Sequence, residues 1–176
     1  MKKLNIKVVH SKMLSEDLRN EIISLCNRAY EEDMRELFET FINATHVLGY
    51  YDELLVCHAL WVTRHLQAEN YPPMRTAYVE AVATEAMYRK RGFASSIMKY
   101  LINEIQDYEL AALSPFSVEY YERLGWEFWR GELSIRTGEG LVRTPDEEVM
   151  IFRLPKTPSL NVNDPLSAEW REGEVW

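Results

Sequence analysis

The chain has 176 residues, 47% of them hydrophobic, and carries a net charge of -8 at neutral pH. That length fits one ordinary domain and that apolar fraction is ample for a continuous core. The acidic balance excludes nucleic acid and anionic membrane surfaces as main partners, since both need an excess of basic groups, and it favours a cationic small molecule.

The opening "MKKLNIKVVHSK" starts basic, but Asn5, Lys7 and His10 interrupt any apolar signal segment, so the stretch from Leu4 to Val9 reads as a first strand. A helix follows from about Ser15 to Tyr30, with Ser15 as cap and Leu18, Ile22, Leu25 and Ala29 as its apolar stripe. A second helical stretch, "DMRELFETFIN", leads into a hairpin of "THVLGYY" and "LLVCHALWVTRHL" around Asp52 and Glu53. The most apolar run, "ELLVCHALWV", is too short to span a bilayer and contains His58. Cys26 and Cys57 belong to no CxxC pair, and they read as buried reduced thiols of a cytoplasmic protein. His10, His46, His58 and His65 show no metal spacing, so no metal is assigned.

"YPPM" is a turn, because successive prolines exclude a helix interior and a central strand. "RTAYVEAVAT" then alternates, with Tyr78, Glu80, Val82 and Thr84 on one face and Ala77, Val79, Ala81 and Ala83 on the other. After it "YRKRGFASSIM" opens an amphipathic helix carrying Phe93, Ile97, Tyr100, Leu101, Ile105 and Tyr108. A glycine turn between a strand and a helix N-terminus offers unpaired N–H groups and a positive dipole end to an anion such as phosphate. Neither the P-loop pattern nor the dinucleotide GxGxxG is present. From Glu139 onward eight acids stand against four bases, and Trp170, Val175 and Trp176 predict that this tail docks. Trp126, Trp129 and Trp170 read as packing residues.

The turn Arg89-x-x-Gly92-x-Ala94, the strand "YVEAVAT" before it and "YELAALSPFSVEYYERLGWEFWRG" after it resemble the GCN5-related N-acetyltransferases (GNAT) over nearly the whole chain. The resemblance implies one α/β (α+β) domain over residues 1–176, with a mixed sheet of about six or seven strands splayed at its middle and flanked by helices. It implies acetyl-coenzyme A as cofactor, its pyrophosphate on Arg89, Lys90, Arg91, Gly92, Phe93 and Ala94, and its pantetheine arm and thioester along Val82, Ala83 and Thr84. "RTPDEEVMIFRLP" and "DPLSAEWREGEVW" narrow the resemblance to the aminoglycoside 2′-N-acetyltransferases, implying that the acidic segment 139–176 folds back onto the substrate. In that pattern Glu80 falls on the base, Tyr121 on the acid with Tyr120 as its neighbouring alternative, Glu147, Glu174 and the carboxylate of Trp176 on substrate-binding positions, and Ser114 near a serine that contacts substrate or the pantetheine arm, while Glu36 or Glu39 stands in for a further substrate-binding acid. The chain departs from the pattern in "ELFETFINATHV", where Leu37 stands for an acid and Asn43 and Ala44 occupy a glycine pair.

An alkylammonium is neutral in only about one molecule in a thousand at pH 7, so acetyl transfer to an amine needs a base. The residues fit direct transfer in a ternary complex, without a nucleophilic side chain. Three readings remain open: an aminoglycoside-type enzyme tied to antibiotic resistance, an acetyltransferase for another amine such as a polyamine, sugar amine or peptide, and a non-catalytic acyl-coenzyme A or aminosugar-binding module. Such proteins often form homodimers.

Overall fold

The computed structural model describes residues 3–176. In chain order the elements are β1 (Asn5–His10), α1 (Glu16–Tyr30), α2 (Arg35–Thr40), β2 (Thr45–Tyr51), β3 (Leu54–Ala68), β4 (Met74–Thr84), α3 (Phe93–Glu104), β5 (Leu110–Leu113), α4 (Val118–Glu122), β6 (Glu127–Phe128), β7 (Leu133–Thr137), β8 (Gly140–Arg143), β9 (Met150–Phe152) and β10 (Leu166–Glu169). The fold is α/β, a mixed sheet with flanking helices. The described strands number ten rather than six or seven, and the surplus consists of very short ones, β6 having two residues. Two compact units partition the chain: one runs up to Val62 and includes Val79–Glu104, the other holds Thr63–Tyr78 and Ile105–Trp176.

In the first unit β1 and β2 pair antiparallel, as do β2 and the first half of β3, with Thr45 opposite Trp61 and Tyr51 opposite Leu54. Ser15 caps α1 as its sequence predicts: Leu18 N–H donates to Ser15 Oγ at 3.2 Å. The helix buries Ile22, Ile23, Leu25 and Cys26, spacing that keeps one face turned to the core. α2 is shorter than its sequence stretch, ending at Thr40 before Asn43 takes a left-handed φ of 55° that no helix accommodates. α3 buries Ile97, Met98 and Leu101 against β2. Gly49 permits this approach, since a Cβ there would stand 2.3 Å from Cys57 Sγ and 3.1 Å from Ile97 Cδ1.

In the second unit β5 runs parallel to the first half of β4, from Thr76 opposite Leu110, and antiparallel to β9. β10 inserts beside the outer end of β3, antiparallel at Leu166 opposite Ala68, and runs parallel to β7, which pairs with β8. Trp126 and Trp129 are buried packing residues, and the Trp129 indole donates to the Asp164 carbonyl at 2.8 Å. Trp170 corrects its expectation: it lies 63% exposed. β10 ends at Glu169, and although Trp170 N–H still donates to Arg136 O at 3.1 Å, its ring turns outward.

Candidate active site

The strand-to-helix turn of the first unit is built as its sequence requires. Gly92 has φ +79°, and Ser96 N–H donates to Gly92 O at 3.0 Å, so the amides of Phe93 and Ala94 lie ahead of the helical ladder. A Cβ on Gly92 would meet nothing within 4 Å, so the glycine is demanded by its conformation and the turn presents an open face. Lys90 also has a positive φ, 62°. Phe93 anchors the helix start by packing against Tyr51 and Tyr88 at ring separations of 5.3 and 6.3 Å. The Arg91 guanidinium lies 5.0 Å over the Tyr88 ring, a cation–π contact. The Arg89 side chain is engaged elsewhere, donating to Ala29 O at 3.0 Å and Thr84 O at 3.3 Å. It ties the ends of α1 and β4 together.

Upstream, Glu80, Val82 and Thr84 are half-buried while Val79, Ala81 and Ala83 are buried, the alternation expected from "YVEAVAT". Ala81 adopts a left-handed φ of 50°, an unusual conformation for a non-glycine residue inside a strand. Its carbonyl accepts from His58 Nδ1 at 2.8 Å, and the next carbonyl, of Val82, accepts from the Tyr30 hydroxyl at 3.0 Å. Glu85 N–H closes the strand by donating to Val56 O at 2.8 Å, while its carboxylate pairs with Arg28 at 2.7 Å. Thr84 Oγ1 is buried with no hydrogen-bond partner among the described residues. A buried hydroxyl without a partner is rare, and here it stands on the strand end expected to receive the pantetheine arm.

The structure brings His46 and His58 together: His46 Nδ1 lies 3.0 Å from His58 Nε2. A carbonyl only accepts, so His58 carries its proton on Nδ1, and its bare Nε2 then accepts from His46 Nδ1–H. Burial pushes both down, His46 to about 4 and His58 to about 3, so both are neutral at pH 7. Burial also raises the Cys26 and Cys57 thiols to about 12, which makes both poor nucleophiles. The Tyr30 hydroxyl is likewise raised, first by burial and then by the nearby Cys26 and Glu80 charges. Tyr30 and His58 have a sequence signal only in hindsight: each is a polar group on an otherwise core-facing stretch.

In the second unit Tyr121 is buried in an aromatic cluster, 5.0 Å from Tyr120, 5.2 Å from Phe116 and 6.0 Å from Trp126 between ring centres. It sits on α4, capped by Ser117, whose Oγ accepts from Tyr120 N–H. Ser114, one residue beyond β5, is exposed, as are Glu147 and Glu174. Trp176 is buried and its indole donates to Thr144 Oγ1 at 2.9 Å. Arg64, a buried arginine that sequence reasoning passed over, donates to Glu169 Oε1 and Glu169 O, both at 2.9 Å, and to Val175 O at 2.7 Å. Glu36, back in the first unit on α2, is exposed, whereas Glu39 is paired with Arg19 at 2.8 Å.

This turn-and-strand arrangement agrees with the comparison of the sequence with known families, which matches the acetyltransferase (GNAT) domain over residues 11–129. The chain belongs to the GNAT acetyltransferases. Acetyl-coenzyme A is accordingly the cofactor of this GNAT domain. The domain is 28% identical over 178 aligned residues to the aminoglycoside 2′-N-acetyltransferase of Mycolicibacterium fortuitum, covering 97% of this chain and 91% of that one. Its fold is similar to that of a GNAT-family N-acetyltransferase of Escherichia coli solved in complex with CoA, at TM-score 0.68 and 15% identity, over 96% of this chain and 91% of the other. It is also similar to a probable N-acyltransferase of Enterococcus faecalis, at TM-score 0.60 and 21% identity over 70% of this chain, but spans only 32% of that larger protein. No described helix of this GNAT domain is long and apolar enough to cross a membrane.

Proposed function

We propose that this GNAT acetyltransferase moves an acetyl group to a primary amine of a cationic aminosugar, the 2′-amine of an aminoglycoside, as a cytoplasmic enzyme. The observation that carries this reading is likeness to an aminoglycoside 2′-N-acetyltransferase along 97% of the chain. Arg64 and Trp176 anchor that tail while Glu174 remains exposed, and Glu147 is exposed on the segment before β9. Such carboxylates suit a polycationic substrate, whose approach they steer as well as hold.

Bound acetyl-coenzyme A supplies an activated acyl thioester. The Arg89–Ala94 turn holds the pyrophosphate through its amides, and the amides of Val82, Ala83 and Thr84 orient the acyl arm. Glu80, directly or through water, takes the proton from the substrate ammonium and so exposes its lone pair. As the C–N bond forms and the C–S bond breaks, Tyr121 would give its proton to the departing sulfur and recover one from the acylated nitrogen, so that the thiol leaves neutral and the proton taken by Glu80 is the one released. Burial disfavours both cysteines as nucleophiles, which supports direct attack of the amine on the thioester.

A second reading is favoured by one feature: Leu37 and the Asn43–Ala44 pair alter the α2 region, and Glu39 is engaged with Arg19. That region would then select another amine. Thiol release with aminoglycosides bearing or lacking a free 2′-amine, spermidine, glucosamine and a lysine peptide distinguishes the two. Turnover confined to 2′-amino drugs is the expected result; turnover of spermidine or the peptide alone would move the substrate to the second reading.

A further inference from the structure

Ala81 stands left-handed within β4, between the proposed base, Glu80, and the amides of Val82, Ala83 and Thr84. A positive φ turns the peptide groups away from the direction of a regular strand, and a buried carbonyl left without a donor is destabilising. The Ala81 carbonyl has its donor in His58 Nδ1, 2.8 Å away on β3, and His58 is wholly buried. The other ring nitrogen of His58 is taken up by His46 at 3.0 Å, and Phe38 lies beside both rings at 6.0 and 6.4 Å. With both nitrogens engaged inside the first unit, His58 has no atom to offer a substrate. Its chemistry is to hold a backbone.

We propose that His58, oriented by His46, is a positioning residue for acetyl transfer that fixes the left-handed backbone of Ala81 and thereby the direction of the Glu80 carboxylate and the Val82–Thr84 amides. This rests on the assignment of β4 as the strand that carries the base and receives the acyl arm, and not on the identity of the amine. The depressed protonation of both rings keeps His58 Nε2 free to accept, so the pair stays in one tautomeric arrangement at neutral pH.

The test compares His58→Leu, His58→Asn and His58→Leu combined with Ala81→Gly. Acetyl-coenzyme A affinity is read by calorimetry, kcat and KM by thiol release with whichever amine the wild type accepts, and folding by thermal melt. Leucine removes the donor, asparagine places an N–H where Nδ1 stood, and glycine adopts the positive φ without strain. Expected results are a loss of about tenfold or more in kcat or cofactor affinity for His58→Leu, at most about threefold for His58→Asn, and recovery of most of the loss on adding Ala81→Gly. Core packing alone predicts no rescue by glycine, and proton transfer by His58 predicts no rescue by asparagine; either result overturns the proposal. Should His58→Leu not fold, a loss beyond about tenfold in folded His58→Asn overturns it. If the wild type turns over no aminoglycoside, the substrate reading fails, while cofactor affinity across the three variants still decides this one.

Discussion

Glu80 is the residue on which the proposed chemistry turns, and its replacement separates chemistry from binding. Glu80→Gln keeps shape and polarity but removes the basic oxygen, so kcat at neutral pH should fall about 10²- to 10⁴-fold with little change in acetyl-coenzyme A affinity. The check is a pH–rate profile beside a binding isotherm; a rate unchanged at pH 7 would remove Glu80 from the base role. The strand pattern "YVEAVAT" made this carboxylate legible in the sequence, because alternation alone puts it on the half-buried face. What alternation could not show is the twist in the backbone beside it. Nothing in the identity of Ala81 signals φ +50°, for the donor that satisfies its carbonyl comes from a different strand.

At the level of elements, the helices and long strands followed from spacing and caps, while partners did not. α1 begins where Ser15 caps it, and β2 and β3 meet around Asp52 and Glu53 as the hairpin pattern requires. The short strands β6, β8 and β10 carry too few residues for a period to be visible, and their existence depends on neighbours far away in sequence. The turn before α3 lies between these cases, since its glycine is a local necessity with an open face. Gly92→Ala introduces no clash and only the strain of a positive φ, about 1 kcal/mol. Acetyl-coenzyme A should bind about fivefold more weakly, with the melting temperature lowered by only a few degrees. Calorimetric titration checks this, and unaltered affinity would take the pyrophosphate off the turn.

Across the whole molecule, the buried histidines tie stability to acidity. An unfolded histidine gains a proton below about pH 6.5. In the folded protein His46 resists protonation down to about 4 and His58 down to about 3. Between these limits the unfolded chain binds more protons, so stability falls as pH falls from 6.5, and this cost is absent above that value. By pH 5 each histidine contributes up to about 2 kcal/mol of destabilisation. Thermal melts from pH 7 to 5 should show this decline, and His46→Asn should flatten it; an equally steep decline in that variant would assign the slope to other groups. The placement of β10 has a consequence of another kind. It lies between β3 and β7, and Arg64 grips Glu169 across a separation of 105 positions. A chain emerging from the ribosome therefore makes the β7–β8 hairpin before the strand that joins it to β3 exists, and must carry that ribbon unattached in the meantime. Cutting the chain before Leu166 would strand the hairpin rather than trim an appendage, so the carboxyl-terminal segment that is proposed to recognise substrate is also the last stitch of the sheet.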